Sequence, residues 1–261
     1  MHTETKLILV TNDDGVTAPG IRSLIKVMRR LGEVIVVAPD KPQSGMAHAI
    51  TVSLPLRYHL LAQEEHYSEY SVNGTPVDCV KLAEKFLLPR RPDLIVSGIN
   101  HGSNASINVL YSGTMAAVLE GVMLDIPSIG FSLCDYAWDA DFISIEPWVE
   151  KIARKVLEDG LPRFTGLNVN IPVPVNGKIK GVKVVRQGEG RWEEEFEHRK
   201  DPRNKDYFWI TGYFKSYDGM PDTDLYALDN GYISVVPVHY DLTAHKAILP
   251  LKNLLEDVQE G

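Results

Sequence analysis

Three short polar clusters in this sequence hold residues that bind hard cations. Asp13 and Asp14 fall in Asn12-Asp13-Asp14-Gly15, and Ser44 falls in Gln43-Ser44-Gly45. Asn100 and Asn104 fall in Gly98-Ile99-Asn100-His101-Gly102-Ser103-Asn104. Two carboxylates, a hydroxyl and amide oxygens suit Mg²⁺, Mn²⁺ or Ca²⁺ and not a thiolate metal. Adjacent carboxylates repel unless a cation sits between them or one retains a proton. Each cluster alone has a plainer explanation, because Asp, Ser-Gly and Asn also make turns and helix caps. The convergence of the three carries the metal reading.

Two more clusters precede helix-like stretches. Tyr111-Ser112-Gly113-Thr114 offers hydroxyls and free backbone N–H groups, which is how helix starts hold phosphate. A plain N-cap by Ser112 or Thr114 is the alternative. Asn73-Gly74-Thr75-Pro76 enters another helix in the same way, with a tight turn plus cap as its alternative. Gly45, Asn73, Thr75, Gly113 and Thr114 are therefore the candidate substrate-binding set. Asp241 and His245 lie four apart, so a helical turn would put them on one face. A carboxylate that orients an imidazole makes a proton shuttle, and a cap with surface histidines is the alternative. His101 qualifies by location alone, and His2, His59, His66 and His198 read as solvated.

A hard cation beside a helix start, with no lysine-rich phosphate loop, points to hydrolysis of a phosphate ester. Ser112, Asn104 and helix N–H groups would hold the oxygens that the metal does not. His245, oriented by Asp241, would move the proton. Asp13 is also the candidate nucleophile should a carboxylate be phosphorylated first, although metal ligation competes for the same oxygens. Two other classes stand beside this one. A nucleotide-sensing module without turnover would not need paired carboxylates, and a metal-dependent glycosyltransferase would release a glycoside instead of phosphate.

These residues need elements to position them. Lys6 to Thr11, Glu33 to Ala38, Asp93 to Ser97 and Pro127 to Phe131 are short apolar runs that read as buried parallel strands. Between the first two, Ile21, Leu24, Ile25, Met28 and Leu31 fall at offsets 0, 3, 4, 7 and 10, one face of a helix. Met115, Val118, Leu119, Val122 and Met123 give a second helix, Val149 to Leu157 a third and Pro76 to Leu87 another. Ala49 to Leu54 and Tyr67 to Val72 read as strands that leave the main sheet or edge it. From Gly166 onward the texture changes to short β runs: Leu167 to Ile171, Val182 to Arg186, Tyr207 to Tyr213 and Tyr232 to Val238. The charged stretches at Glu193-Glu194-Glu195 and Lys200 to Asp206 read as a solvated hairpin or arm, which is also a candidate subunit contact.

The expected fold is therefore α/β, a Rossmann-like, mostly parallel sheet flanked by helices with a C-terminal β-rich extension. One domain spans 1–261, with a core over about 1–160 and the β-rich part over about 166–261. In an open α/β sheet, ligands bind outside the carboxyl ends of the strands. Parallel strands would bring Asp13-Asp14, Ser44 and Asn100 to one such edge.

Composition narrows the partners. With 27 Lys plus Arg against 35 Asp plus Glu, the net charge is −8, a poor basis for binding a nucleic-acid polymer. Small phosphorylated ligands remain accessible through a metal and backbone N–H groups. No apolar run approaches the roughly 20 residues that span a bilayer, and Met1 to Lys6 does not read as a secretory signal. A cytoplasmic location without membrane partners is expected. The two cysteines, Cys79 and Cys134, read as reduced, buried thiols.

Six segments in order carry a family likeness: ILVTNDDG with APGI, APDKPQSG, VNGTPVDCV, SGINHGSN, YSGTMAAVLEG and DLTAH. From Leu7 to about His245 the chain resembles the SurE (survival protein E) family, metal-dependent 5′/3′-nucleotidases with exopolyphosphatase activity. The resemblance implies one divalent cation, Mg²⁺ or Mn²⁺, on Asp13, Asp14, Ser44 and Asn100. It implies active-site roles near Asn104, Ser112, Asp241 and His245, and nucleoside monophosphates as substrates. It also implies a homodimer or homotetramer in which the C-terminal portion is exchanged between subunits. One stretch departs from the family pattern. Where members carry a glycine and then acidic residues, this chain has Ala105-Ser106-Ile107-Asn108-Val109-Leu110, without a carboxylate.

Overall fold

A computed structural model describes residues 5–137, 139–174 and 177–256. Inside its main sheet runs β1 (Leu7–Thr11), buried along its whole length as an inner parallel strand should be. Parallel neighbours flank it: β2 (Glu33–Pro39) through Leu9↔Ile35, and β5 (Leu94–His101) through Leu9↔Ile95. Outside β2 lie β4 (Tyr67–Val72) and the edge strand β3 (Tyr58–Glu64). Outside β5 lie β6 (Ser128–Leu133), β7 (Gly166–Ile171), β11 (Ile233–Val238) and β8 (Val182–Val184). The nine-stranded order is β3-β4-β2-β1-β5-β6-β7-β11-β8, and only the β3–β4 and β7–β11 pairs are antiparallel. The chain leaves β1 toward β2 and returns to its other side at β5. That reversal is the topological switch point where α/β sheets bind ligands.

Alternate residues of β1 feed two cores, because successive strand side chains point to opposite faces. Ile8 and Val10 pack with Ile21, Leu24 and Met28 of α1 (Pro19–Met28) and Val149 and Ala153 of α4 (Glu146–Asp159). Leu7 and Leu9 pack with Cys79 and Val80 of α2 (Pro76–Leu82) and Ala117 of α3 (Gly113–Met123). The α/β reading thus holds, with helices on both faces. The β-rich C-terminal part divides: β7, β8 and β11 extend the main sheet, whereas β9 (Gly190–Lys200) and β10 (Asp206–Ser216) form a separate two-stranded hairpin. The short α5 (Asp224–Asp229) and the terminal α6 (Ile248–Leu255) complete the chain. Among the described residues no helix is long and apolar enough to cross a membrane.

One expected strand is absent. Residues 49–54 are irregular, and the edge strand begins later, at Tyr58. Their polar groups are taken by the start of α2: the Ala49 carbonyl accepts from Thr75 Oγ1 (2.8 Å), and the Thr51 N–H and hydroxyl donate to Asp78 (3.0 and 2.6 Å). Bonds to a helix cap replace a ladder that the alternating pattern alone would favour.

Candidate active site

Asp13 lies two residues beyond the end of β1 and is buried (4% exposed). Its carboxylate Oδ1 accepts from the Thr114 hydroxyl at 2.5 Å, at the start of α3. Gly113 makes this approach feasible, since a Cβ there would lie 2.7 Å from Asp13 Cβ. Ser112 is the N-cap, its Oγ accepting from the Met115 N–H at 3.1 Å. Burial pushes the Asp13 carboxyl up to about 6, the neighbouring Asp14 charge adds to this, and the Thr114 hydroxyl opposes it. Asp14 is also raised by burial, against the His101 N–H that donates to it at 3.3 Å. Among the described residues no lysine or arginine forms a salt bridge with either carboxylate.

Asn100 reaches the same point from β5. The strand is irregular between Ser97 and Asn100, where its register against β6 shifts. The Asn100 amide donates to the carbonyls of His101 (3.0 Å) and Gly102 (2.9 Å), which leaves Oδ1 facing the Thr114 hydroxyl at 3.4 Å. One hydroxyl proton cannot serve Asp13 and Asn100 together, so acceptor lone pairs remain. The Ser44 loop is strapped to the same place. Gln43 N–H donates to the Asp13 carbonyl (2.7 Å) and Ala47 N–H to the Tyr111 carbonyl (3.2 Å). Ser44 and Gly45 between these straps are exposed.

The donor set fits a hard divalent cation. It is all oxygen, it contains a buried and a half-buried carboxylate with no lysine or arginine salt bridge among the described residues, and the buried Asn12 Oδ1 beside Asp13 has no hydrogen-bond partner. Among the described residues no group of three or more His, Cys, Asp or Glu is placed to hold a metal. Two carboxylates with neutral oxygens therefore form the candidate centre.

Asn104 sits in a buried amide network. Its Nδ2 donates to Ser132 Oγ (2.9 Å), its N–H to Asn170 Oδ1 (2.7 Å), and its carbonyl accepts from Asn168 Nδ2 (2.8 Å). Sequence reading passed over Asn168 and Asn170, although two asparagines two apart in the apolar run LNVNI signal one polar strand face. The non-acidic stretch after Asn104 forms a 3-10 turn, Ser106–Leu110. It is pinned by buried Asp224, which accepts the N–H groups of Ser106 and Gly188 at 2.8 Å each.

Ser112 and Asp241 line one cavity of about 730 Å³, with Ala116 and Val238 in its wall. Asp241 accepts from the Thr243 N–H (2.8 Å) and lies 2.7 Å from His245 Nε2. These bonds, those of Thr243 foremost, hold its carboxyl down at about 2. The pair meets as the spacing suggests, but not through a helical turn. Asp241 is in a loop, and the local bond to Thr243 competes with helix formation. No hydrogen bond links Asp241 or His245 to Asp13 among the described residues.

Asn73 and Thr75 lie beyond the carboxyl end of β4, on the same sheet edge, with their polar atoms engaged inside the chain. Asn73 accepts from the Arg57 N–H (2.7 Å) and donates to the Pro55 carbonyl (3.3 Å). Thr75 and Asp78 form a capping box. A further cluster had no sequence signal, because its members are far apart in the chain. Buried Glu120 of α3 binds Lys81 (2.5 Å) and His48 (3.3 Å), tying the Ser44 loop to α3.

Residues 8–194 match the family model described as Survival protein SurE. The 5′-nucleotidase SurE of Flavobacterium psychrophilum is 57% identical over 248 residues, covering 95% of this chain and 96% of that protein. Its counterpart in Christiangramia forsetii is 55% identical over 255 residues, covering 97% and 98%. The crystal structure of the SurE protein from Aquifex aeolicus aligns with a TM-score of 0.82 at 40% identity, covering 96% of this chain and all of that one. With the family model matched over most of its length and relatives of this similarity along nearly all of it, the chain belongs to the SurE family.

Proposed function

We propose that the chain is a metal-dependent 5′-nucleotidase that hydrolyses nucleoside 5′-monophosphates, and also 3′-monophosphates and short polyphosphate, to release phosphate. The observation that carries the reading is Asp13, buried without a cationic partner between Asp14 and the start of α3. Asp13, Asp14, Ser44 and Asn100 would hold one Mg²⁺ or Mn²⁺. When bound, the cation polarises a phosphoryl oxygen and lowers the pKa of water. Ser112, Gly113, Thr114 and Asn104 then orient the remaining phosphoryl oxygens, where the α3 N-terminus favours negative charge. Asp241 keeps His245 oriented to pass a proton to or from the water or the leaving oxygen. Gly45, Asn73 and Thr75 shape the rim of the substrate site. The same reading places the protein in the cytoplasm as a homodimer or homotetramer, joined through its C-terminal part. The names of its relatives support the 5′-nucleotidase assignment.

The test is phosphate release from a panel of 5′ and 3′ nucleoside monophosphates and a short polyphosphate, with Mg²⁺, Mn²⁺ or EDTA. Release is expected with metal, lost in EDTA, and reduced by at least about a hundredfold in Asp14→Asn. Nucleotide binding without release under any metal would move the assignment to a sensing module.

A further inference from the structure

The β9–β10 hairpin carries a second cavity, next to the residue that precedes Ser112. Along β9, Trp192, Glu194 and Phe196 share one face. On β10, Gly212 stands opposite Glu194, between Ile210 and Phe214 on that face. Gly212 puts no side chain there, and a Cβ would lie 2.3 Å from the Glu193 carbonyl oxygen. The gap it leaves opens into a cavity of about 370 Å³ lined by Tyr111, Trp192, Glu194, Ile210, Thr211 and Gly212. That volume lies within the usual small-molecule range of about 300–1,000 Å³.

The slot is preorganised and adjoins the phosphate site. Trp192 Nε1 donates to Asn108 Oδ1 at 2.8 Å, and its ring meets Phe214 edge-on at 5.9 Å. Asn108 also accepts the Tyr111 N–H on its carbonyl (3.0 Å), so one residue sets the position of both aromatic residues. Tyr111 directly precedes Ser112, with neighbouring Cα atoms about 3.8 Å apart. Glu193, on the opposite face, is paired with Arg191 and Tyr217. The Glu194 carboxylate has no hydrogen-bond or salt-bridge partner among the described residues. The larger cavity beside Ser112 differs: Arg186, His48 and Asp241 in its lining are already paired with Asp218, Glu120 and His245.

We propose that this slot takes the nucleobase of the substrate, stacked against Tyr111 and Trp192, and that Glu194 selects guanine. The proposal rests on the nucleotidase reading. An ionised carboxylate only accepts hydrogen bonds. Guanine presents N1–H and N2–H side by side, two donors that a carboxylate takes in parallel. Adenine and cytosine present one donor beside an acceptor, and uracil one donor between two acceptors. An acceptor facing Glu194 would be repelled, which is how a polar site rejects the wrong ligand. Stacking is tolerant of base identity, so the carboxylate sets the preference.

The experiment compares kcat/KM for GMP and AMP in the wild type, Glu194→Gln and Trp192→Leu, with p-nitrophenyl phosphate as a substrate without a base. Wild type is expected to favour GMP by about tenfold or more. Glu194→Gln brings the ratio toward one, chiefly through KM, and Trp192→Leu raises KM for both nucleotides. Guanosine, which has no phosphate, is expected to quench the fluorescence of Trp192, isolated by difference against Trp192→Phe. A GMP-to-AMP ratio that Glu194→Gln leaves unchanged, with turnover intact, overturns the proposal. No phosphate release from any of the three substrates would overturn the nucleotidase reading instead. Quenching by guanosine then decides the slot by itself: its presence supports the slot and its absence overturns it.

Discussion

At the scale of single residues, Asp13 joins chemistry to instability. Its carboxyl is raised to about 6 in the folded chain from an ordinary value of 3.8, first by burial and then by the Asp14 charge. The metal-free folded state thus binds this proton more tightly than the unfolded state does. Stability from this group is fully present below about pH 4 and is lost as the pH rises through about 6. A shift of about two units corresponds to roughly 3 kcal/mol. Asp13→Asn cannot ionise and keeps an oxygen for the Thr114 hydroxyl. In EDTA at pH 7.5 the variant is expected to be more stable than the wild type by up to about 3 kcal/mol, with the difference shrinking toward pH 4. Urea denaturation across that range measures it, and a difference that does not change with pH would count against the account. Activity should be lost in the same variant, because the strain belongs to the site.

At the scale of elements, the site depends on how closely helices approach the strand ends. Gly20 in the first turn of α1 lies against β5, and a Cβ there would sit 2.0 Å from the Ile99 carbonyl oxygen. Backbone cannot yield as a flexible side chain does, so Gly20→Ala must push α1 away from the strand that presents Asn100. The expected cost is about 1–3 kcal/mol of stability by urea denaturation, together with reduced metal-dependent turnover. A variant with wild-type stability would show that α1 has slack at this position. Close approaches of this kind are only partly legible in sequence. Pro19-Gly20 marks a helix start, and the apolar offsets place α1 and α3, since periodicity reports which face is buried. Parallel strands then bring Asp13, Asn100 and the Ser44 loop to one edge. The residues 49–54 mislead because side-chain bonds from Thr75 and Asp78 claim a backbone whose pattern suits a strand. The links between His48, Glu120 and Lys81, and between Asn108 and Trp192, are long-range pairings that local pattern does not encode.

At the scale of the whole molecule, one chain leaves much apolar surface uncovered. No residue of α6 is buried, and Ile248, Leu249, Leu251, Leu254 and Leu255 are exposed on it. Trp209 and Tyr213 are exposed on the hairpin face opposite the Trp192–Glu194 slot. Five exposed apolar side chains on one short helix are unusual on a monomer and mark an association site. The position of α6 gives that surface a functional link, because the helix directly follows the Asp241–His245 pair. A partner that covers α6 would also hold the segment carrying the proposed proton relay. The wild type is therefore expected to show, by light scattering after size exclusion, a mass of two or four chains. Leu251→Lys with Leu254→Lys puts two charges on the exposed helix and disturbs no buried contact within one chain. It should shift the mass toward one chain and lower kcat more than it raises KM, since the proposed metal and phosphate ligands lie elsewhere. A wild type that stays monomeric at micromolar concentration would remove the association site. A double variant that dissociates with undiminished kcat would separate the relay from the contact, leaving Asp241 and His245 to be positioned by their own loop.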